Sequence, residues 1–429
     1  MLAKLQVSPI NSYIDEEVNI KVMGCMENTE VSIYATTFDE TQKKFTSYAT
    51  FIVPSDRIVD VATQKPVKGT YDTVDASGLF WSMMHTESKW DDYYEKKNSN
   101  KVSITLVLKV NGIEQDSLTI QRFFYRDEDV TKETVAHQNI VGTVFHPKQK
   151  GTFPAVIVLS GSDGGMQEHA AALLASKGYT VLALPYFGSE EGVPNNLENI
   201  PLEYFQEATD WLREHPAVNG NISLIGYSRG GELALLLGAT FDSYKSIIAG
   251  VPSAYITAGM KNGIFAPVPS WVFQQKPLPY LKFTYRFSSM VAILKNWIVR
   301  RPISYLSIWD NSLKNEAGFS ENRIAVEDIH APLLLITGDD DQLWPSSLYV
   351  KMIEDKLKHS KTTHQNRYLY YDNAGHFLSF PYSFVNLPAQ VYMNVGGGMT
   401  MTFGGSKAAN AKASRDSWLK ILDFLAENA

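Results

Sequence analysis

At 429 residues the chain is long enough for roughly two to three domains. Hydrophobic residues make up 44% and charged residues 20%, which excludes a disordered chain. A formal net charge of -7 excludes non-specific nucleic-acid binding through overall charge, and the single cysteine, Cys25, excludes an intrachain disulfide and fits a reducing compartment.

The N-terminus, MLAKLQVSPINSYIDEEVN, is broken by polar and charged residues before any apolar core of signal-peptide length, so no signal peptide is expected. No uncharged run of about 18 apolar residues predicts a membrane-spanning helix. The final AENA is no peroxisomal address. A cytoplasmic protein is expected.

Residues 1–126 are written in strand chemistry. EVNIKVMG, EVSIYATTF, KVSITLVLKV and SLTIQRFFY alternate apolar with polar residues and are rich in Val, Ile, Thr and aromatics. Asn111-Gly112 signals a hairpin between the last two. Short strands joined by turns predict an all-β, immunoglobulin-like sandwich over 1–126.

Arg126-Asp127-Glu128-Asp129 is a charged link, after which strands and helices alternate. PAVIVLSG, YTVLALPY, NISLIGYS, KSIIAGVP, PLLLITG and RYLYYD read as strands. QEHAAALLASKG, LEYFQEATDWLREH and GGELALLLGAT read as helices, the first closed by Gly178. The alternation predicts a mostly parallel sheet covered on both faces. The expectation for 133–429 is an α/β-hydrolase domain with an inserted cap at about 254–325. The cap is a long aromatic stretch between KSIIAGVP and PLLLITG, and insertions of that length between sheet strands are usually functional.

Gly226-Tyr227-Ser228-Arg229-Gly230 is a G-x-S-x-G set between a strand and a helix, the context of a nucleophile elbow. A serine hydroxyl needs a base to take its proton. Of nine histidines, His376 in Asn373-Ala374-Gly375-His376-Phe377 lies just after the strand RYLYYD, where this fold delivers its base. The acid comes from Asp339-Asp340-Asp341 after PLLLIT. The spacing G-x-x-D with a following proline selects Asp341, with Asp340 in reserve. Ser228, Asp341 and His376 thus run in the order of an α/β-hydrolase triad. A tetrahedral oxyanion needs fixed N–H donors. The backbone of Arg229 is the expected first donor. The second is the backbone of Ser162, in Ser160-Gly161-Ser162-Asp163-Gly164-Gly165. Neither phosphate-cradling signature, G-x-x-x-x-G-K-[ST] or G-x-G-x-x-G, occurs, and no Cys/His spacing suggests a metal. No cofactor is expected.

These motifs resemble the acyl-CoA thioesterase / bile acid-CoA:amino acid N-acyltransferase family over nearly the whole chain. The resemblance rests on Ser47-Tyr48-Ala49, Gly69-Thr70-Tyr71 and Gly78-Leu79-Phe80-Trp81-Ser82-Met83 in the first part. In the second it rests on the Gly-rich loop, GYSRGGELAL, GDDDQLWPS, NAGHFL and Gly404-Gly405-Ser406-Lys407. The sequence departs from the family at Asp163, where glycine is commoner. Family members carry Ser or Cys at the elbow, so Ser228 implies hydrolysis rather than acyl transfer. The resemblance implies cleavage of acyl-CoA thioesters to free acid and CoA. A carboxylesterase or dienelactone-hydrolase-like esterase, an N-acyltransferase and a non-catalytic binding protein are the other readings. From 254 to 315 the chain carries eight basic residues and one acid, Asp310. Arg300 and Arg301 in this stretch are expected to hold CoA phosphates, which suit the planar arginine fork.

Overall fold

A computed structural model of the protein describes residues 3–137, 140–315, 320–360 and 364–429; residues 316–319 of the expected cap lie outside these. Eight strands form the central sheet. They are β1 (Val130–His137), β2 (Ile140–Pro147), β3 (Phe153–Leu159), β4 (Thr180–Leu184), β5 (Val218–Tyr227), β6 (Ser246–Gly250), β7 (Leu333–Gly338) and β8 (Arg367–Tyr371). Their order across the sheet is β1-β2-β4-β3-β5-β6-β7-β8. β1, β2 and β4 pair antiparallel in turn, and every other neighbouring pair is parallel. β4, β6 and β7 are buried at every position, which is why they read as unbroken apolar runs. The sheet begins at Val130, ahead of residue 133. β1 is an edge strand whose VTKETVAH keeps a polar face toward solvent, so it carries no such run.

Helices α1 (Glu168–Ala175), α2 (Leu202–Arg213), α3 (Arg229–Thr240), α4 (Phe287–Ile298), α5 (Leu306–Asn315), α6 (Ser346–Lys358) and α7 (Lys407–Glu427) follow in chain order. α2 buries Leu202, Phe205, Ala208, Thr209 and Leu212, one stripe at helical spacing. α3 is buried from Arg229 to Gly238, as a helix covered on all sides must be.

Residues 3–126 form a seven-stranded sheet and a three-stranded one that share one apolar cluster. Glu30–Phe38 alternates buried and outward residues throughout. Val102–Val110 and Ile113–Phe123 form a hairpin whose two turn residues, Asn111 (φ 49°) and Gly112 (φ 81°), both take the left-handed conformation. One apolar cluster runs without a break from Val31, Ile33 and Leu106 of this region to Val156, Ile225 and Ile336 on one face of the central sheet. A second fills the opposite face and extends to Trp271 and Trp309.

Between β6 and β7 lie short paired strands, including Trp271–Phe273, followed by α4 and α5. A further hairpin, Tyr392–Gly396 with Met399–Thr402, joins this region through a bridge from Met401 to Ile303. No helix among the described residues is long and apolar enough to cross a membrane.

Candidate active site

β5 delivers Ser228 at its carboxyl end, and α3 starts at the next residue. Ser228 holds φ 56° and ψ -116°, a conformation that side chains rarely adopt. The turn is tight: a Cβ on Gly226 would strike the Gly230 carbonyl, and one on Gly230 would strike that of Ser160. Ser228 N–H donates to the Gly250 carbonyl at 2.8 Å, fixing the turn against β6.

His376 lies on the loop after β8. Its Nε2 is 2.9 Å from Ser228 Oγ and its Nδ1 2.8 Å from Asp341 Oδ2. An ionised carboxylate only accepts, so Nδ1 carries the proton and Nε2 is the acceptor for the serine hydroxyl. Asp341 is held from all sides. Its Oδ1 accepts from the backbone N–H of Leu343 (2.9 Å) and Trp344 (3.3 Å), and its Oδ2 also accepts from Ser346 Oγ (2.7 Å). Asp339 and Asp340 face elsewhere. Asp339 accepts from Asn373 N–H at 2.6 Å. Asp340 accepts from Gln342 Nε2 at 2.7 Å and Gly405 N–H at 2.8 Å. The imidazole is enclosed by the rings of Trp344, Phe377 and Phe403, with centroids 5.8–5.9 Å away. Tyr227 Oη donates to the His376 carbonyl and accepts from Leu378 N–H at 3.0 Å. Ser228, Asp341 and His376 are all buried.

The two expected oxyanion donors sit on separate elements. Arg229 opens α3. Its side chain turns away from the serine, fully buried, toward the Glu232 carboxylate (3.2 Å) and the Ala258 carbonyl (2.9 Å). Glu232 also accepts from Thr257 N–H (3.1 Å) and Trp271 Nε1 (3.1 Å). Burial pushes its carboxyl upward against the pull of Arg229. Ser162 lies half-buried on the loop after β3. That loop is clamped from both ends of the chain. Gly161 N–H donates to Tyr382 Oη at 2.6 Å, and Tyr382 in turn donates to Asp163. Lys97 Nζ pairs with Asp163 Oδ2 at 3.0 Å and donates to the carbonyls of Asp163 (3.3 Å) and Gly164 (3.2 Å). Sequence reasoning missed Lys97 and Tyr382. The signal that was available is Asp163 itself, a charge in a glycine-rich loop that calls for a partner.

Arg300, on the turn after α4, lines a cleft of about 590 Å³ with Trp90, Trp297, Ile298 and Thr400. Arg301 is exposed. Neither forms a hydrogen bond or ion pair with Ser228, Asp341 or His376 among the described residues. Nor, among those residues, do three His, Cys, Asp or Glu side chains gather so as to hold a metal ion.

The strand order, the antiparallel start and the sharp strand-to-helix turn define an α/β hydrolase. Residues 15–137 match the acyl-CoA thioester hydrolase/BAAT N-terminal region, and residues 200–429 match the BAAT/acyl-CoA thioester hydrolase C-terminal region. The chain belongs to the BAAT/acyl-CoA thioester hydrolase family. It is 28% identical to acyl-coenzyme A thioesterase 1 of Mus musculus over 99% of this chain and 96% of that one. It is 30% identical to acyl-coenzyme A amino acid N-acyltransferase 2 of the same species, over 99% of this chain and 97% of that one. With the mouse peroxisomal succinyl-coenzyme A thioesterase it shares 27% identity over 100% of this chain and 97% of that one.

Proposed function

We propose that the protein hydrolyses acyl-CoA thioesters with Ser228 as nucleophile, His376 as base and Asp341 as its orienting acid. The observation that carries this reading is the continuous relay from Ser228 Oγ through both ring nitrogens to Asp341 Oδ2, at 2.9 and 2.8 Å. His376 takes the serine proton as Oγ attacks the thioester carbonyl, forming a C–O bond and a tetrahedral oxyanion. The N–H groups of Arg229 and Ser162 stabilise that oxyanion. Its collapse breaks the C–S bond, and the CoA thiolate takes the proton from the imidazolium. His376 then deprotonates water, which attacks the acyl-serine carbonyl; the C–Oγ bond breaks, Ser228 Oγ takes the proton back from the imidazolium, and the free acid leaves. Arg300 and Arg301 hold the CoA phosphates at the cap.

A second reading, acyl transfer to an amino acid, is favoured by the relative named as an N-acyltransferase. Water and amine compete for the same acyl-enzyme, so product analysis separates the two. A panel of acyl-CoAs and matched simple esters, with and without glycine or taurine, tests both. Release of CoA and free acid supports hydrolysis. Mainly N-acyl amino acid overturns it in favour of transfer, and turnover of simple esters alone makes the protein an esterase.

A further inference from the structure

Helix α4 carries an apolar stripe on its exposed side. Phe287, Val291, Leu294 and Ile298 recur at spacings of four, three and four, so they form one stripe along the helix. That stripe faces away from the protein: Phe287 is 84% exposed, Leu294 50% and Ile298 68%. The residues turned inward are mixed, Ser289, Ile293 and Asn296. Ser289 Oγ accepts from Asn311 Nδ2 at 3.0 Å, and Asn296 Nδ2 donates to the Pro302 carbonyl. A contiguous exposed apolar row on a helix marks an interaction site.

The charge around the stripe says what meets it. No Asp or Glu occurs between Asp242 and Asp310, in a chain whose net charge is -7. Lys282 and Arg286 precede the stripe and Lys295 lies along one side of it. None of them is in an ion pair among the described residues. Trp297, half-exposed beside the stripe, donates its Nε1–H to the Gly397 carbonyl at 3.0 Å. An apolar stripe bordered by unpaired cations, with an indole beside it, is the chemistry of a helix lying in a lipid headgroup layer. We propose that α4 docks the protein onto an anionic lipid surface. Phe287, Val291, Leu294 and Ile298 enter the acyl boundary, and the flanking cations meet the negative headgroups. This surface stands independently of which acyl ester the chain cleaves.

Flotation of the full chain with vesicles tests it. One set is phosphatidylcholine alone, and the other contains about one-third phosphatidylserine, a surface negative enough to attract a polybasic segment. The expected result is partitioning roughly tenfold or more stronger onto the anionic vesicles, weakening as salt is raised. Val291→Glu with Leu294→Glu should abolish flotation. Lys282→Glu with Arg286→Glu should weaken it roughly tenfold on the anionic vesicles while leaving residual apolar binding. Both pairs change exposed side chains, so circular dichroism and vesicle-free turnover of a short acyl-CoA should match the unmodified protein. Absence of flotation overturns the proposal, as does equal binding to both vesicle types or binding unchanged by either pair. A dimer seen in sedimentation velocity, lost in the Val291→Glu/Leu294→Glu protein and unaccompanied by flotation, would make the stripe a subunit interface instead.

Discussion

Ser228 stands at a backbone conformation that costs about 1–3 kcal/mol for a residue with a side chain, and the packed turn between β5 and α3 imposes it. The strain lifts Oγ to Nε2 of His376. Ser228→Ala should therefore lower hydrolysis by several orders of magnitude with little loss of thermal stability. Near-full activity in that variant would remove Ser228 from the chemistry. The three aspartates separate the same way. Asp341→Asn leaves the imidazole in the wrong tautomer and should lower kcat by about 10⁴-fold. Asp339→Asn and Asp340→Asn loosen loop contacts to Asn373 and Gly405 and should cost activity less than about tenfold. Equal losses in all three would contradict the geometry. The place of Asp341 beside His376 was legible in the sequence because its context is local: the spacing from Gly338 and the proline after it. The work of its neighbours was not, because Asn373 and Gly405 lie far along the chain and only folding brings them near.

Among the elements, the loop after β3 shows how a site is made rigid from outside. Lys97 comes from the β-rich first part of the chain and Tyr382 from beyond β8, and both converge on Asp163. Lys97→Met frees the loop that carries Ser162, the proposed second oxyanion donor. We expect kcat to fall about ten- to a hundredfold with KM nearly unchanged, and Lys97→Arg to restore most of it. A loss of stability with kcat intact would make the clamp merely structural. The elements themselves were unequally legible. β3, β4, β6 and β7 are buried runs that their composition announces. β1 and β2 escaped because an antiparallel edge pair interleaves polar residues. The hairpin Tyr392–Thr402 escaped because its Gly396-Gly397-Gly398 turn reads as loop. The interior of the cap announced only its aromatics. Which of them pack on Trp309 and which stay in water depends on contacts that have no period.

Over the whole molecule the division at the charged link is a division of chain, not of core. Ala389 N–H donates to the Trp81 carbonyl at 2.9 Å, and Lys407 Nζ, at the start of α7, donates to the Met83 carbonyl at 2.8 Å, tying the LFWSM segment to the second part of the chain. Burial depresses the Lys407 ammonium, and the Asp92 carboxylate 3.3 Å away opposes the shift. Both parts share one apolar cluster, so calorimetry should give a single endotherm; two resolved transitions would show that the halves hold themselves up separately. The long-range charge pattern yields another expectation. KM for an acyl-CoA should rise with salt, whereas KM for a neutral ester of the same acyl group should not, and Arg300→Glu with Arg301→Glu should raise only the first. A salt-independent KM would take CoA away from the cap. The clamp on Asp163 also bears on how such chains can be recombined. A crossover in the acidic link after Arg126 is inviting, because it lies between two recognisable pieces. A chimera made there would inherit Asp163 from one parent and position 97 from the other. Unless that position again carries a cation of the right reach, the hybrid keeps Ser228 and loses the brace behind the loop at 160–165. Residue 97 and the loop at 160–165 therefore have to travel together.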